Sequence, residues 1–333
     1  MRKIALIFNV ILLVIIVTIS VTKAYERMES RNFSDAVEDD NINYREKMME
    51  LVEGISAYAK EKNPDFEVIS QNTEDILLND PSYDIKYMGS IDAVGREDTF
   101  FGIDGYDTIT DQNAQNAMIT KLNLFKNNNK PVFSIDYCSG NNIKKAQDNC
   151  KKYGYVSFAA ESFDLNTIPE KVNDENSNDI NTLNDAKNFL YVVNPDNYKN
   201  KNKFLRALKK TNYDVIVIDC FFNSKVVTFS KDEIEELKTK KNGGKRLVLS
   251  YMSIGESEGY RYYFDNDWKN DNSKPSWILY ENKNWSDNYI INYWDSRWHH
   301  ILYGNDDSYV SKIIDSGFDG VYLDVVDAYY YFE

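Results

Sequence analysis

The last fifteen residues, 319–333, read DGVYLDVVDAYYYFE. An apolar run, Val321 to Leu323, ends on a carboxylate, Asp324, and a second acid, Asp327, follows it closely. Apolar character that is continuous rather than alternating marks a strand buried on both faces, as in a parallel sheet covered by helices. Such a strand delivers its acid to the carboxyl edge of the sheet, where α/β folds build their sites. It also needs an element packed over it, which the chain has to supply from elsewhere.

Working outward, the same kind of run recurs seven times. The segments are FEVISQN (66–72), SIDAVGRE (90–97), KPVFSIDY (130–137), YVSFAAE (155–161), FLYVV (189–193), YDVIVIDCFF (213–222) and RLVLSYMSIGE (246–256). Helical patterns separate many of them. Met48, Leu51, Val52, Ile55 and Ala59 recur at helical spacing over Tyr44–Lys62 and stop at Asn63-Pro64; further helices are expected around Met118–Phe125, 144–154, 204–210, 231–241 and Val310–Ile314. Eight buried strands alternating with helices predict a (β/α)₈ TIM barrel, with a doubly wound open sheet as the alternative. No GxGxxG or GxxxxGK[ST] opens any of the helices, so a phosphate cradle is missing from the second option. Residues 166–187, rich in Asn and Asp and almost without large apolar side chains, read as a flexible linker. Residues 257–307 read as a long irregular stretch that carries all five tryptophans.

Charge and composition narrow the function. The formal net charge is −14 and no basic run tracks a phosphate backbone, which disfavours nucleic acid and suits a neutral or cationic ligand. Aromatic residues make up 14% of the chain, with 25 Tyr, and could serve as flat platforms for sugar rings or simply as packing. The two histidines are adjacent, His299 and His300, in a helix-like stretch, and no CxxC or HExxH pattern exists; neither a metal nor a cofactor is expected. Cys138, Cys150 and Cys220 are too few for a disulfide framework, leaving either a Cys138–Cys150 pair or three reduced thiols. The basic Met1-Arg2-Lys3 followed by a long apolar run predicts export, through a cleaved signal peptide or an uncleaved membrane anchor over residues 1–24.

Five of the eight strands end in an acid directly after their apolar run: Glu97, Asp136, Asp219, Glu256 and Asp324. One acid at a strand end is usually a cap or loop anchor. Five in register would converge on one barrel mouth, where crowding drives carboxyl pKa values apart and yields a proton donor beside an anion. Paired carboxylates with aromatic neighbours point to glycoside hydrolysis.

The stretches YMSIGESEGYR (251–261), WILYENKNWSDNYIINYWDSRW (277–298) and GFDGVYLDVVDAY (317–329) closely resemble motifs of glycoside hydrolase family 114. So do ISAYAKEKNPDFEVISQN (55–72), IDAVGREDTFFG (91–102) and KPVFSIDY, so that the resemblance spans about 44–333 apart from the linker. It implies a secreted barrel enzyme acting as an endo-α-1,4-polygalactosaminidase. It also implies a circular permutation, with the family's strands 5-6-7-8 ahead of 1-2-3-4: residues 25–161 form the second half of the barrel, 162–187 join the halves, and 188–333 form the first. The helix Tyr44–Lys62 then covers the terminal strand. By the same resemblance Asp324 is the nucleophile and Glu97 the general acid/base of a retaining mechanism, with Glu256 and Asp327 as rivals and Arg96 as a possible partner of the acid. Asp136, Asp219, Glu256, Asp327, Tyr137, Tyr251, Trp277 and Trp294 are the expected substrate contacts, with Asp136 and Asp219 placed for ammonium groups of a partly deacetylated galactosamine polymer. The expected partner is therefore a polysaccharide, and a membrane only through residues 1–24.

Overall fold

The computed structural model describes residues 42–224 and 227–333; the expected targeting segment, 1–24, lies outside the described residues. Seven of the expected strands come first: β1 (Glu67–Gln71), β2 (Ala93–Glu97), β3 (Val132–Tyr137), β4 (Val156–Ala160), β5 (Phe189–Tyr191), β6 (Val215–Asp219) and β7 (Leu247–Ser253). Three short strands follow, β8 (Glu256–Glu258), β9 (Ile278–Glu281) and β10 (Asn288–Ile291), and the terminal run forms β11 (Gly320–Asp324). The eight strands expected from the sequence make one parallel sheet in the order β4-β3-β2-β1-β11-β7-β6-β5. Its two edges meet: Ser157 and Asn188 form a single parallel bridge, and the Phe189 ring packs 5.1 Å from Phe133 and 5.6 Å from Phe158. The sheet is a nearly closed (β/α)₈ barrel, and the doubly wound alternative is set aside.

The helices are α1 (Tyr44–Lys62), α2 (Pro81–Ser90), α3 (Gln112–Asn127), α4 (Asn141–Tyr153), α5 (Lys201–Leu208), α6 (Lys231–Leu237), α7 (Ser296–Leu302) and α8 (Tyr309–Asp315). The Asn43 side chain caps α1 by accepting from the Glu46 N–H, and Met48, Leu51, Val52, Ile55 and Ala59 are wholly buried. This helix laps over the seam between the first and last strands. Tyr44 stacks on Phe332 at 5.2 Å, Tyr293 donates to the Tyr44 carbonyl at 2.7 Å, and Arg45 pairs with Glu333 at 2.8 Å. Going round the ring, a helix stands between neighbouring strands everywhere except from β4 to β5, where the connection holds only the 3₁₀ turn Leu183–Asp185.

That connection is not a free linker. Ile180 and Leu183 are fully buried, and the carbonyls of Asn176 and Asn178 accept from Lys240 Nζ, which also pairs with Asp214 at 2.9 Å in a fully buried ion pair. A segment poor in apolar side chains packs here because its backbone oxygens complete the shell of a buried ammonium. The stretch read as irregular contains the sheet β8-β10-β9 and an aromatic cluster. Within that cluster Trp277 lies 5.5 Å from both Trp268 and Trp298, and Trp298 Nε1 donates to the Ile254 carbonyl at 2.9 Å. All three cysteines are buried free thiols, so Cys138 and Cys150 are unpaired.

Candidate active site

Parallel strands present their carboxyl ends on one rim. Glu97 closes β2 and Asp324 closes β11, with β1 between them. The last residue of β1, Gln71, therefore falls between two acids. Its Nε2 donates to Asp324 Oδ1 at 2.6 Å and to Glu97 Oε2 at 3.1 Å. One NH₂ group carries both bonds, and its two hydrogens diverge by about 120°, so the two oxygens stand roughly 5 Å apart.

Each acid has its own further donors. Asp324 accepts from the Tyr251 hydroxyl at 2.9 Å and from the Val325 N–H at 2.8 Å. Glu97 accepts from the Tyr137 hydroxyl and, at 3.4 Å, from Asn72 Nδ2. Val325 holds φ at +59°, a region that β-branched residues rarely occupy, and this turns its N–H back onto Asp324. Burial, and then the charge of Asp98, push the Glu97 carboxyl up to about 7. Burial, and then the charge of Glu97, push Asp324 up to about 7 as well. Two acids raised in this way share a proton near neutrality, one protonated while the other is anionic.

Arg96 does not face the pair. Its Nε meets Glu74 at 2.7 Å and its Nη1 donates to Asn72 Oδ1 at 2.8 Å; the same oxygen accepts the Glu97 N–H at 3.2 Å. Arg96 thus fixes the turn that carries Glu97. Beneath the rim the Tyr322 hydroxyl occupies the space over Gly95, where a Cβ would come within 1.9 Å of it.

The other expected residues divide. Tyr251 and Tyr137 are at the site, as hydrogen-bond donors to the acids rather than as sugar platforms. Asp136 is fully buried and accepts from the Phe100 and Phe101 N–H groups at 2.7 and 2.9 Å, anchoring the loop after β2. Asp219 binds Arg261 Nη1 at 2.7 Å while Arg261 Nε binds Glu258 Oε2 at 2.5 Å, a buried ionic triad. Glu256 is occupied by Asn282, Asn288 and the Tyr331 hydroxyl. Asp327 is half-buried in the 3₁₀ segment Val326–Tyr331. Trp277 is 2% exposed and offers no free face, and Trp294 packs against Tyr44, Tyr293 and Phe332. His299 Nε2 bonds the Tyr293 carbonyl at 3.0 Å, a structural role. Gln71, Asn72, Glu258 and Arg261 went unread in the sequence. For Gln71 the signal was available: a polar amide closing an apolar strand, in the same place in its segment as the acids of the others.

Residues 174–332 match the model of glycoside-hydrolase family GH114. The span takes in β5 to β11 and Asp324, and stops short of Gln71, Glu97 and Tyr137. The chain is 36% identical over 186 residues to an uncharacterized protein of Methanocaldococcus jannaschii, covering 53% of this chain and 49% of that protein. It is 33% identical over 117 residues to an uncharacterized protein of Thermotoga maritima, covering 33% and 34% of the two. It thus spans about half the length of the first relative and about a third of the second. A barrel whose rim joins two carboxyls through one amide thus carries, over residues 174–332, a likeness to glycoside-hydrolase family GH114.

Proposed function

We propose that this protein is a glycoside hydrolase that cleaves an α-1,4-linked, galactosamine-containing polysaccharide with retention of configuration. The observation that carries the mechanism is the Gln71 amide shared by Asp324 and Glu97. The gap of roughly 5 Å that two bonds from one amide imply supports retention, for which carboxyls ~5–5.5 Å apart are typical, over inversion, which needs ~6.5–9.5 Å. Asp324, with its three short donor contacts, is the better-stabilised anion and attacks the anomeric carbon. Glu97, protonated, gives its proton to the departing glycosidic oxygen. The resulting glycosyl ester is then opened by water, from which Glu97 takes a proton back, and Asp324 leaves as the carboxylate. Galactosamine as the sugar is supported by the family resemblance and by the net charge of −14, which suits a polymer bearing ammonium groups. Export through residues 1–24 fits a polymeric substrate.

We also read the strand order as permuted relative to the family. Two features support this: among the described residues, β4 and β5 are the neighbouring barrel strands joined without an α-helix, and the family match begins at residue 174, just ahead of β5. The test is release of reducing ends from a partly deacetylated galactosamine polymer by residues 25–333, beside Asp324→Asn and Glu97→Gln. Release by the parent that falls by about a thousandfold or more in each variant is expected. Release that survives both substitutions would overturn the assignment, and a parent that cleaves only other glycans would overturn the substrate.

A further inference from the structure

Next to Tyr137, on the side away from Asp324, the rim opens into a groove of about 350 Å³ lined by Tyr106, Glu161, Ser162, Phe163 and Asp164. Phe163 and Tyr106 are large aromatic side chains left 43% and 37% exposed, and they meet edge to face at 5.9 Å. Phe163 also lies 4.6 Å from the Tyr137 ring, whose hydroxyl donates to Glu97. Tyr137 thus stands between the groove and Glu97, in contact with both. The turn that builds it is fixed: the Tyr106 hydroxyl donates to the Glu161 carbonyl at 2.8 Å, the Asp164 N–H to Ser162 Oγ at 3.0 Å, and Asn194 Nδ2 to the Asp164 carbonyl at 2.7 Å. The two aromatic rings are thus held open to solvent by a braced backbone.

We propose that this groove is a subsite for an amino-sugar residue on the leaving-group side of the cleaved bond. The inference rests on the hydrolase reading and adds to it a place and a sugar class. Around the rim the order is Asp324, Gln71, Glu97, Tyr137, Phe163. A nucleophile attacks opposite the bond that breaks, so the leaving sugar departs toward Glu97 and onward to Phe163. The apolar face of a sugar ring stacks on Phe163 and Tyr106, and the carboxylates of Glu161 and Asp164 offer the groove's only formal charges, which match an ammonium group and not an acidic sugar.

Binding is measured on the otherwise full chain carrying Asp324→Asn, so that turnover does not intervene. The probes are α-1,4-galactosamine oligomers, fully deacetylated or fully N-acetylated. Adding Phe163→Ala is expected to weaken both by about 5- to 10-fold, whereas Leu124→Ala, an exposed apolar truncation on the outer helix α3, leaves them unchanged. Adding Glu161→Gln with Asp164→Asn is expected to weaken only the deacetylated oligomer, and less so at high salt. Unchanged affinity in Phe163→Ala combined with Tyr106→Ala overturns the subsite; if the enzyme active at Asp324 still cleaves the polymer, the hydrolase reading stands without it. Failure of both oligomers to bind, with no cleavage of the polymer, overturns both.

Discussion

Gln71 gives both amide hydrogens to acids that would otherwise repel each other. Removing it as Gln71→Leu is expected to lower kcat by about 10- to 100-fold and to move the acid limb of the pH–rate profile upward, because an anionic Asp324 loses a donor. That profile is bell-shaped about neutrality: protonation of Asp324 closes the acid side and deprotonation of Glu97 the alkaline side. The Tyr137 hydroxyl favours the anionic form of Glu97, so Tyr137→Phe raises that carboxyl further and should carry the alkaline limb to higher pH. A downward move would contradict the assignment of Glu97 as the acid. Stability follows the same titration with a definite sign. The folded chain holds the Asp324 proton up to about 7 against an ordinary 3.8, so it binds more protons than the unfolded chain in between, and stability declines as pH rises through that window. Asp324→Asn should therefore melt higher than the parent at pH 8 and close to it at pH 4. Both acids were legible as the ends of apolar runs. Their partners were less so, because a hydrogen bond between residues 71 and 324 leaves no local pattern.

Among elements, the eight barrel strands were legible because burial on both faces writes itself as an unbroken apolar run. The helix α2 was not: Tyr87 is its one fully buried side chain, so it carries no stripe, and its start is marked only by Asp80 and Pro81. The strands β8 to β10 escaped for a related reason, since Glu256-Ser257-Glu258 is a strand made by its partners rather than by its own residues. That short strand depends on Arg261, which bridges Glu258 and Asp219 out of water. Arg261→Ala leaves two buried carboxylates without their counter-charge and should cost about 3–5 kcal/mol, read by urea denaturation at neutral pH. A loss under about 1 kcal/mol, the size of a surface pair, would show that the triad is solvated.

At the scale of the whole molecule the barrel is strong on one side and thin on the other. β11 pairs along its length with β1 and with β7, whereas β5, a strand of three residues, reaches β4 through a single bridge. Amide hydrogen exchange should accordingly release β5 before β11, and equal protection of the two would mean that the thin seam is buttressed by its side chains alone. The sequence showed that there were eight strands to arrange. Where the ring is weakest depends on how many ladder bonds each neighbour makes, which no single segment records. The pairing of the last strand with the first has a mechanical side. Arg45 and Glu333 clasp each other just above the β1–β11 seam, and Gln71 and Asp324 face each other across it. A pull applied between residues 44 and 333 would break that clasp and then load the Gln71–Asp324 bond directly. Tension across that seam would draw Gln71 away from Asp324 as the β1–β11 ladder sheared, while the β7–β11 ladder stayed paired.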